Sequence, residues 1–168
     1  LAYSSIGHVG YVLIALVSAS EQGLKSASIY MFIYLVMNIA VFSIILSLKK
    51  SNSYVEKINE LSGLSKSNPV ISVCLAIIML SMAGIPPFIG FFGIFNVFIA
   101  AVESQLYLLA VLGVLASVIS AFYYLRIIKG MYFDEANEGE FFEFTINSQA
   151  KVILTILMII ITFFILYP

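Results

Sequence analysis

Long apolar runs separated by short polar stretches set the pattern of this chain. The runs cover about Leu1–Ala19, Ala27–Leu48, Pro69–Val102, Leu106–Ile128 and Val152–Tyr167. They cluster apolar residues over longer stretches than a soluble core helix needs, so the pattern predicts an all-α protein: a polytopic transmembrane helix bundle with five crossings. Residues 1–168 then form a single transmembrane domain. Connections are short except at 49–68 and 130–148.

The third run cannot cross as a simple rod. It holds 34 residues, Pro69 to Val102, and a straight helix of that length would extend about 50 Å at ~1.5 Å per residue. The hydrocarbon core of a bilayer is only ~30 Å thick. Near the middle stands "AGIPPF", in which Pro86 and Pro87 offer no N–H groups and crowd the carbonyls of Met82 and Ala83. Ile85 and Pro86 each precede a proline and are pushed out of helical geometry, while Gly84 supplies permissive dihedrals. The expectation is two half-helices, about 69–83 and 88–102, joined by unwound backbone; the other reading is a proline kink that only aids packing. Such backbone survives at membrane depth only where protein or trapped water satisfies it, and discontinuous helices of this kind face ions in transporters.

Charge then sets the orientation. Only 10% of residues are charged, against 62% hydrophobic, and mean hydropathy is +1.09. Five crossings put Lys49, Lys50, Lys57, Lys66, Arg126, Lys129 and Lys151 on one side and only Lys25 on the other. The positive-inside rule makes the first side, with residue 1, cytoplasmic. The acidic residues Asp134, Glu135, Glu138, Glu140 and Glu143 read as a solvated loop. Ser53 and Glu56 have capping-box spacing and Val55, Ile58 and Leu61 recur at helical intervals, which predicts a short surface helix. There is no basic tract for nucleic acid. The single cysteine, Cys74, excludes a disulfide framework within the chain. No basic region precedes the first apolar run, which argues against a cleavable signal peptide, and Leu1 in place of methionine suggests a piece of something longer or a start at a non-standard codon.

Buried polar residues fall in lines. Ser4, His8 and Tyr11 share a face of the first helix, with Ser5 beside it. Tyr30, Tyr34 and Asn38 recur every four residues in the second helix. Gly113, Ser117, Ser120 and Tyr124 line the fourth. Polar side chains at membrane depth face the bundle interior, where they pair or line water. Small and hydroxyl residues at such spacings also serve as packing glue. His8 stands apart because imidazole titrates near neutral pH. The candidates for a proton path are His8, Ser4, Tyr11, Tyr34, Asn38 and Asn96.

"LAYSSIGHVGYVLIAL", "ELSGLSKSNPV", "MLSMAGIPPFIGFFGIFNVF" and "YYLRI" occur in this order. Together they resemble the antiporter-like membrane subunits of proton-pumping NADH:quinone oxidoreductase, respiratory complex I, and above all its subunit N branch. The resemblance implies a fold of about fourteen membrane helices in two inverted five-helix bundles. This chain would correspond to helices ten to fourteen, with the broken twelfth helix as the third crossing here. It further implies proton passage through buried ionisable residues and water, driven by quinone chemistry elsewhere. The implied partners are the lipid bilayer, other membrane subunits of the complex and the N-terminal part of the same subunit. The implied location is the bacterial inner membrane or the mitochondrial inner membrane. No cofactor, metal or catalytic centre is expected in this chain, which has neither a cysteine cluster nor a glycine-rich phosphate loop.

One departure matters. By resemblance, a lysine should follow the glycine of "GFFG" as the central protonatable group, and here that place is Ile94. No lysine, arginine, aspartate or glutamate lies between Pro69 and Val102. Two other readings therefore stand beside a translocating subunit: a subunit of a multi-subunit cation/proton antiporter, and a degenerate remnant without pumping activity.

Overall fold

The computed structural model describes residues 2–50, 53–134 and 142–164. Six apolar helices carry the fold: α1 (Ala2–Val17), α2 (Glu21–Ile45), α4 (Pro69–Met82), α5 (Ile89–Glu103), α6 (Tyr107–Phe133) and α7 (Ser148–Phe163), with a one-turn α3 (Leu64–Ser67) ahead of α4. α2 and α6 are each long and apolar enough to cross a membrane; α1, α4, α5 and α7 are shorter apolar helices.

Local chemistry sets the boundaries. Ser20 caps α2 by accepting from the Gly23 N–H at 3.0 Å. A side chain at Gly23 would put its Cβ 2.4 Å from the Ala15 carbonyl oxygen, so glycine lets α2 start hard against α1. α2 begins six residues before the apolar run does, because that cap lies in the polar turn. Pro69 opens α4 at its first helical position, where no N–H is needed.

Helix geometry stops at Met82 and resumes at Ile89. Gly84 takes a positive φ of 73°. The donors of this stretch are accounted for: the N–H groups of Ala83, Gly84 and Ile85 reach the carbonyls of Met79, Ser81 and Leu80. Phe88 donates to Ile85 at 3.3 Å. The Ser81 hydroxyl accepts from the Gly90 N–H at 3.1 Å and donates to the Met37 sulfur at 3.2 Å, tying α4, α5 and α2 together. It satisfies one of the orphan donors at the start of α5.

Two apolar clusters result. The larger joins α2, α4, α6 and α7 around Met37, Ile44, Leu75, Ile78, Met131 and Ile161. The smaller joins α1, α2, α5 and α6 around Ile14, Tyr30, Ile94, Val97 and Ala101. Outward faces are equally apolar: on α6, Leu108 is 75% exposed and Phe122 65%. Contiguous apolar surface of this kind is what a bilayer or a membrane partner covers.

The polar loops depart from expectation. The chain is not wholly helical: β1 (Leu48–Lys50) is the centre of a three-stranded antiparallel sheet, flanked by β2 (Ser53–Tyr54) and β3 (Phe142–Phe144). Residues 53–54 are therefore strand, not the start of a surface helix. The helical spacing of Ile58 and Leu61 becomes a single 3₁₀ turn, Ile58–Leu61. Its cap lies four residues on from the predicted one. The Glu60 carboxylate accepts from the N–H groups of Glu56 (2.8 Å) and Lys57 (3.0 Å). Those two donors, Lys57's first, hold the Glu60 carboxyl below the usual carboxylate range. Residues 53–54 pair with β1 instead, and Lys49 and Lys50 lie over the Tyr54 and Phe142 rings, 5.0 and 5.3 Å from the centroids. Part of the acidic stretch is thus strand rather than free loop, and Asp134 pairs with Lys129 at 3.0 Å. Glu135, Glu138 and Glu140 lie outside the described residues.

Candidate functional site

α1, α2 and α6 converge on His8. The α-helical period places Ser4, His8 and Tyr11 on the inward face of α1, and α2 brings Tyr30 and Tyr34 to meet them. His8 is 2% exposed. Its Nδ1 lies 2.5 Å from the Tyr30 hydroxyl and its Nε2 2.8 Å from the Tyr124 hydroxyl. The Ser4 hydroxyl hydrogen-bonds the same Tyr124 hydroxyl. The Tyr34 ring stacks on the imidazole at 4.5 Å between centroids and 25° between planes. Tyr11 meets it edge-on at 6.0 Å.

With a hydroxyl on each ring nitrogen, neutral His8 donates on one side and accepts on the other, and the hydroxyls can serve either tautomer. A protonated ring would donate to both oxygens. The arrangement is therefore able to hold a proton at either nitrogen without leaving a buried polar atom unpaired.

Four of the sequence candidates gather here: Ser4, His8, Tyr11 and Tyr34. Two do not. Asn38 gives its amide to the Tyr34 carbonyl at 3.0 Å, and Asn96 gives its own to the Phe92 carbonyl at 2.8 Å. Each is spent on its own helix. The partners that the candidate set left out are Tyr30 and Tyr124. Both stand in the polar lines of their helices, and each is at least 98% buried; the signal was the line, but not which member of it turns toward His8.

Ile94 is 7% exposed and packs in the cluster that contains Tyr11 and Tyr30. Its neighbour Gly93 lies against the Tyr30 ring, where an added Cβ would be 2.8 Å from a ring carbon. Ile94 itself reaches back to the non-helical stretch. A Cβ on Gly84 would stand 2.8 Å from Ile94 Cδ1. So Gly84 and Ile94 face each other, and Pro86 and Pro87 lie in the link between their helices. On the other flank of His8, Ser4 and Tyr124 border a cavity of about 450 Å³ that also touches Tyr3, Ser120 and Arg126.

Comparison with known proteins gives a consistent set. The family described as "NADH:quinone oxidoreductase/Mrp antiporter, TM" matches residues 1–120. NADH-quinone oxidoreductase subunit N of Rhodospirillum rubrum is 49% identical over the whole chain, and that of Pelagibacter ubique 48%. The chain spans about a third of these relatives, 34% and 35% of their lengths. Among solved structures, respiratory complex I from Thermus thermophilus with bound Aureothin superposes with a TM-score of 0.79 at 25% identity, over 96% of this chain and 36% of that one. The Mrp complex from Dietzia sp. superposes with a TM-score of 0.67 at 25% identity, over 81% of this chain and 25% of its own.

Proposed function

The chain belongs to the NADH:quinone oxidoreductase/Mrp antiporter transmembrane family, and from that premise we propose that it is the C-terminal part of a proton-translocating subunit N. In this reading it crosses a bacterial inner membrane five times. α4 and α5 together make the third crossing, interrupted at residues 83–88. The lysine-rich loop 49–68 and the acidic loop 130–148, which Arg126, Lys129 and Lys151 flank, lie on the cytoplasmic side. The rest of the same subunit and the other membrane subunits of the oxidoreductase complete it, and redox chemistry happens elsewhere in that complex.

One observation carries this reading: a buried histidine held at both nitrogens by hydroxyls from two other helices. A group that is only structural needs one satisfied polar contact on each atom. This one also has interchangeable donors on both, which is what proton passage requires. Ionisable groups inside a membrane bundle are costly and mark ion routes. The Mrp-type antiporter reading shares the fold, but identity near 49% over the full chain favours subunit N. Ile94 bears on how the path works, because isoleucine cannot take up a proton where the resemblance implies a lysine.

The test is His8→Gln in the full-length subunit within the assembled complex. Quinone reduction continues, while protons moved per electron pair fall measurably in membrane vesicles. Unchanged pumping with full assembly would remove His8 from the path.

A further inference from the structure

We infer that the cytoplasmic ends of α1, α2, α4 and α6 hold one anionic diacyl phospholipid, with its phosphodiester at Arg126 and its two acyl chains in separate apolar cavities. The inference goes beyond the translocation reading and takes from it only the membrane and the five crossings.

Three openings meet at Ile58. The first is the 450 Å³ cavity between α1 and α6, walled by Tyr3, Ser120, Tyr123 and Ile127. The second, of about 280 Å³, lies among α2, α4 and α6 and is walled by Phe42, Ile45, Leu75, Met79 and Ile127. The third is a polar cleft of about 600 Å³ lined by Glu56, Lys57, Asn59, Arg126, Lys129 and Asp134. Ile58 lines all three, Ile127 lines both apolar cavities, and Arg126 lines the first cavity and the cleft. The space is therefore forked, with one polar opening and two apolar arms. A molecule with one polar head and two tails has that shape; a helix or a single-chain ligand has not.

The 3₁₀ turn makes the fork. Leu61 is buried in the larger apolar cluster, while Ile58 at the other end of the turn is 49% exposed. Apolar surface left open at such a junction is what acyl chains would cover.

Along α6 the chemistry changes in the matching order. Ser120, Tyr123, Tyr124 and Ile127 recur at helical spacing on the first cavity. Arg126, Lys129 and Gly130 follow on the cleft. About 20 residues cross the hydrocarbon core, so a crossing that enters at Tyr107 leaves it near Arg126. Tyr3 and Tyr123, 91% and 61% exposed, then stand where aromatic rings meet headgroups.

Charge selects the head. Lys57, Arg126 and Lys129 outnumber Glu56 and Asp134 in the cleft, which leaves a positive surplus for one phosphodiester to neutralise. Lys129 is engaged by Asp134 at 3.0 Å. Arg126 makes no hydrogen bond or ion pair with the described residues, and its guanidinium can grip a phosphate with two N–H groups at once. Basic pockets between helix ends on the cytoplasmic side suit anionic headgroups.

The experiment uses the full-length subunit in the assembled complex, placed in phosphatidylcholine nanodiscs. A minor share of phosphatidylglycerol carries a photoreactive diazirine on each acyl chain, and the labelled residues are mapped by mass spectrometry. Labels are expected on two separate sets: around Ser120 and Tyr123, and around Phe42 and Ile45. Arg126→Gln lowers both roughly tenfold. Ser120→Phe removes the first set and keeps the second. A phosphatidylcholine probe with the same diazirines labels both sets several-fold less, and millimolar inorganic phosphate does not displace the label. Labels on one arm only, or on neither because another part of the complex fills the fork, overturn the inference. So do equal labelling of Arg126→Gln, equal labelling by the phosphatidylcholine probe, and displacement by inorganic phosphate. His8→Gln takes the label like the unsubstituted protein, so the translocation reading stands or falls separately.

Discussion

His8 and Ile94 lie in adjoining parts of one bundle and are held in place by opposite means. Around His8 the helices stand far enough apart for aromatic rings, and side-chain hydroxyls from three helices make the contacts. Around Ile94 the helices come together through missing side chains: Gly84, Gly90 and Gly93 let backbone, ring and aliphatic groups meet directly. The first region can adjust by rotating hydroxyls and moving protons. The second has fixed backbone and apolar volume, and α5 brings no ionisable side chain to it. The contrast separates a chemical half of the site from a mechanical half.

The sharpest way to break the contrast is at Gly90. A Cβ there would stand 1.8 Å from the Ser81 carbonyl oxygen, a backbone atom that cannot step aside. Gly90→Ala costs about 3 kcal/mol or more, seen as loss of folded full-length subunit in thermal unfolding in detergent. Preserved stability would mean that α4 and α5 are not locked through backbone. On the chemical side, Tyr30→Phe removes the hydroxyl on Nδ1 and costs about 0.6–1.7 kcal/mol. Tyr34→Phe keeps the stacked ring and costs about 0.5 kcal/mol or less. Equal losses in the same assay would mean that ring packing, not hydrogen bonding, holds His8.

Smaller still are Asn38→Ala and Asn96→Ala. Their amides serve carbonyls of their own helices, so each substitution changes stability by about 0.5 kcal/mol and leaves proton pumping unchanged. A pumping defect would return them to the path. The least effect concerns the 3₁₀ turn. Glu60 has a depressed carboxyl pKa in the folded protein. Its contribution is therefore present above the ordinary carboxylate value and is lost as pH falls through the folded one. Hydrogen exchange at the Glu56 and Lys57 amides should quicken over that acidic range, and Glu60→Gln should remove the step.

The five apolar runs located the six apolar helices among the described residues, because period and length carry that information directly. Helix geometry stops at Met82 and resumes at Ile89, around Gly84 and the doubled proline. The polar faces of α1 and α2 were readable too, since residues four apart must share a side. Tyr124 as a His8 partner was not, because the contact joins residues 116 apart and depends on how α6 rotates against α1. The sheet was hidden for a similar reason. Its strands are two or three residues long, too short for an alternating pattern, and β1 finds β3 only through the tertiary fold. Val55, Ile58 and Leu61 gave a helical signal that was locally sound and globally outcompeted.

That small sheet also orders the making of the protein. Its central strand and β2 are close in sequence, but Phe142–Phe144 is synthesised only after α4, α5 and α6. The Asn68 amide, which donates to the Phe142 carbonyl at 3.0 Å, waits as long. Until then β1 has no partner on the edge that β3 will cover. The clasp that closes it therefore joins stretches of chain made far apart in time, with only α7 among the described helices still to follow.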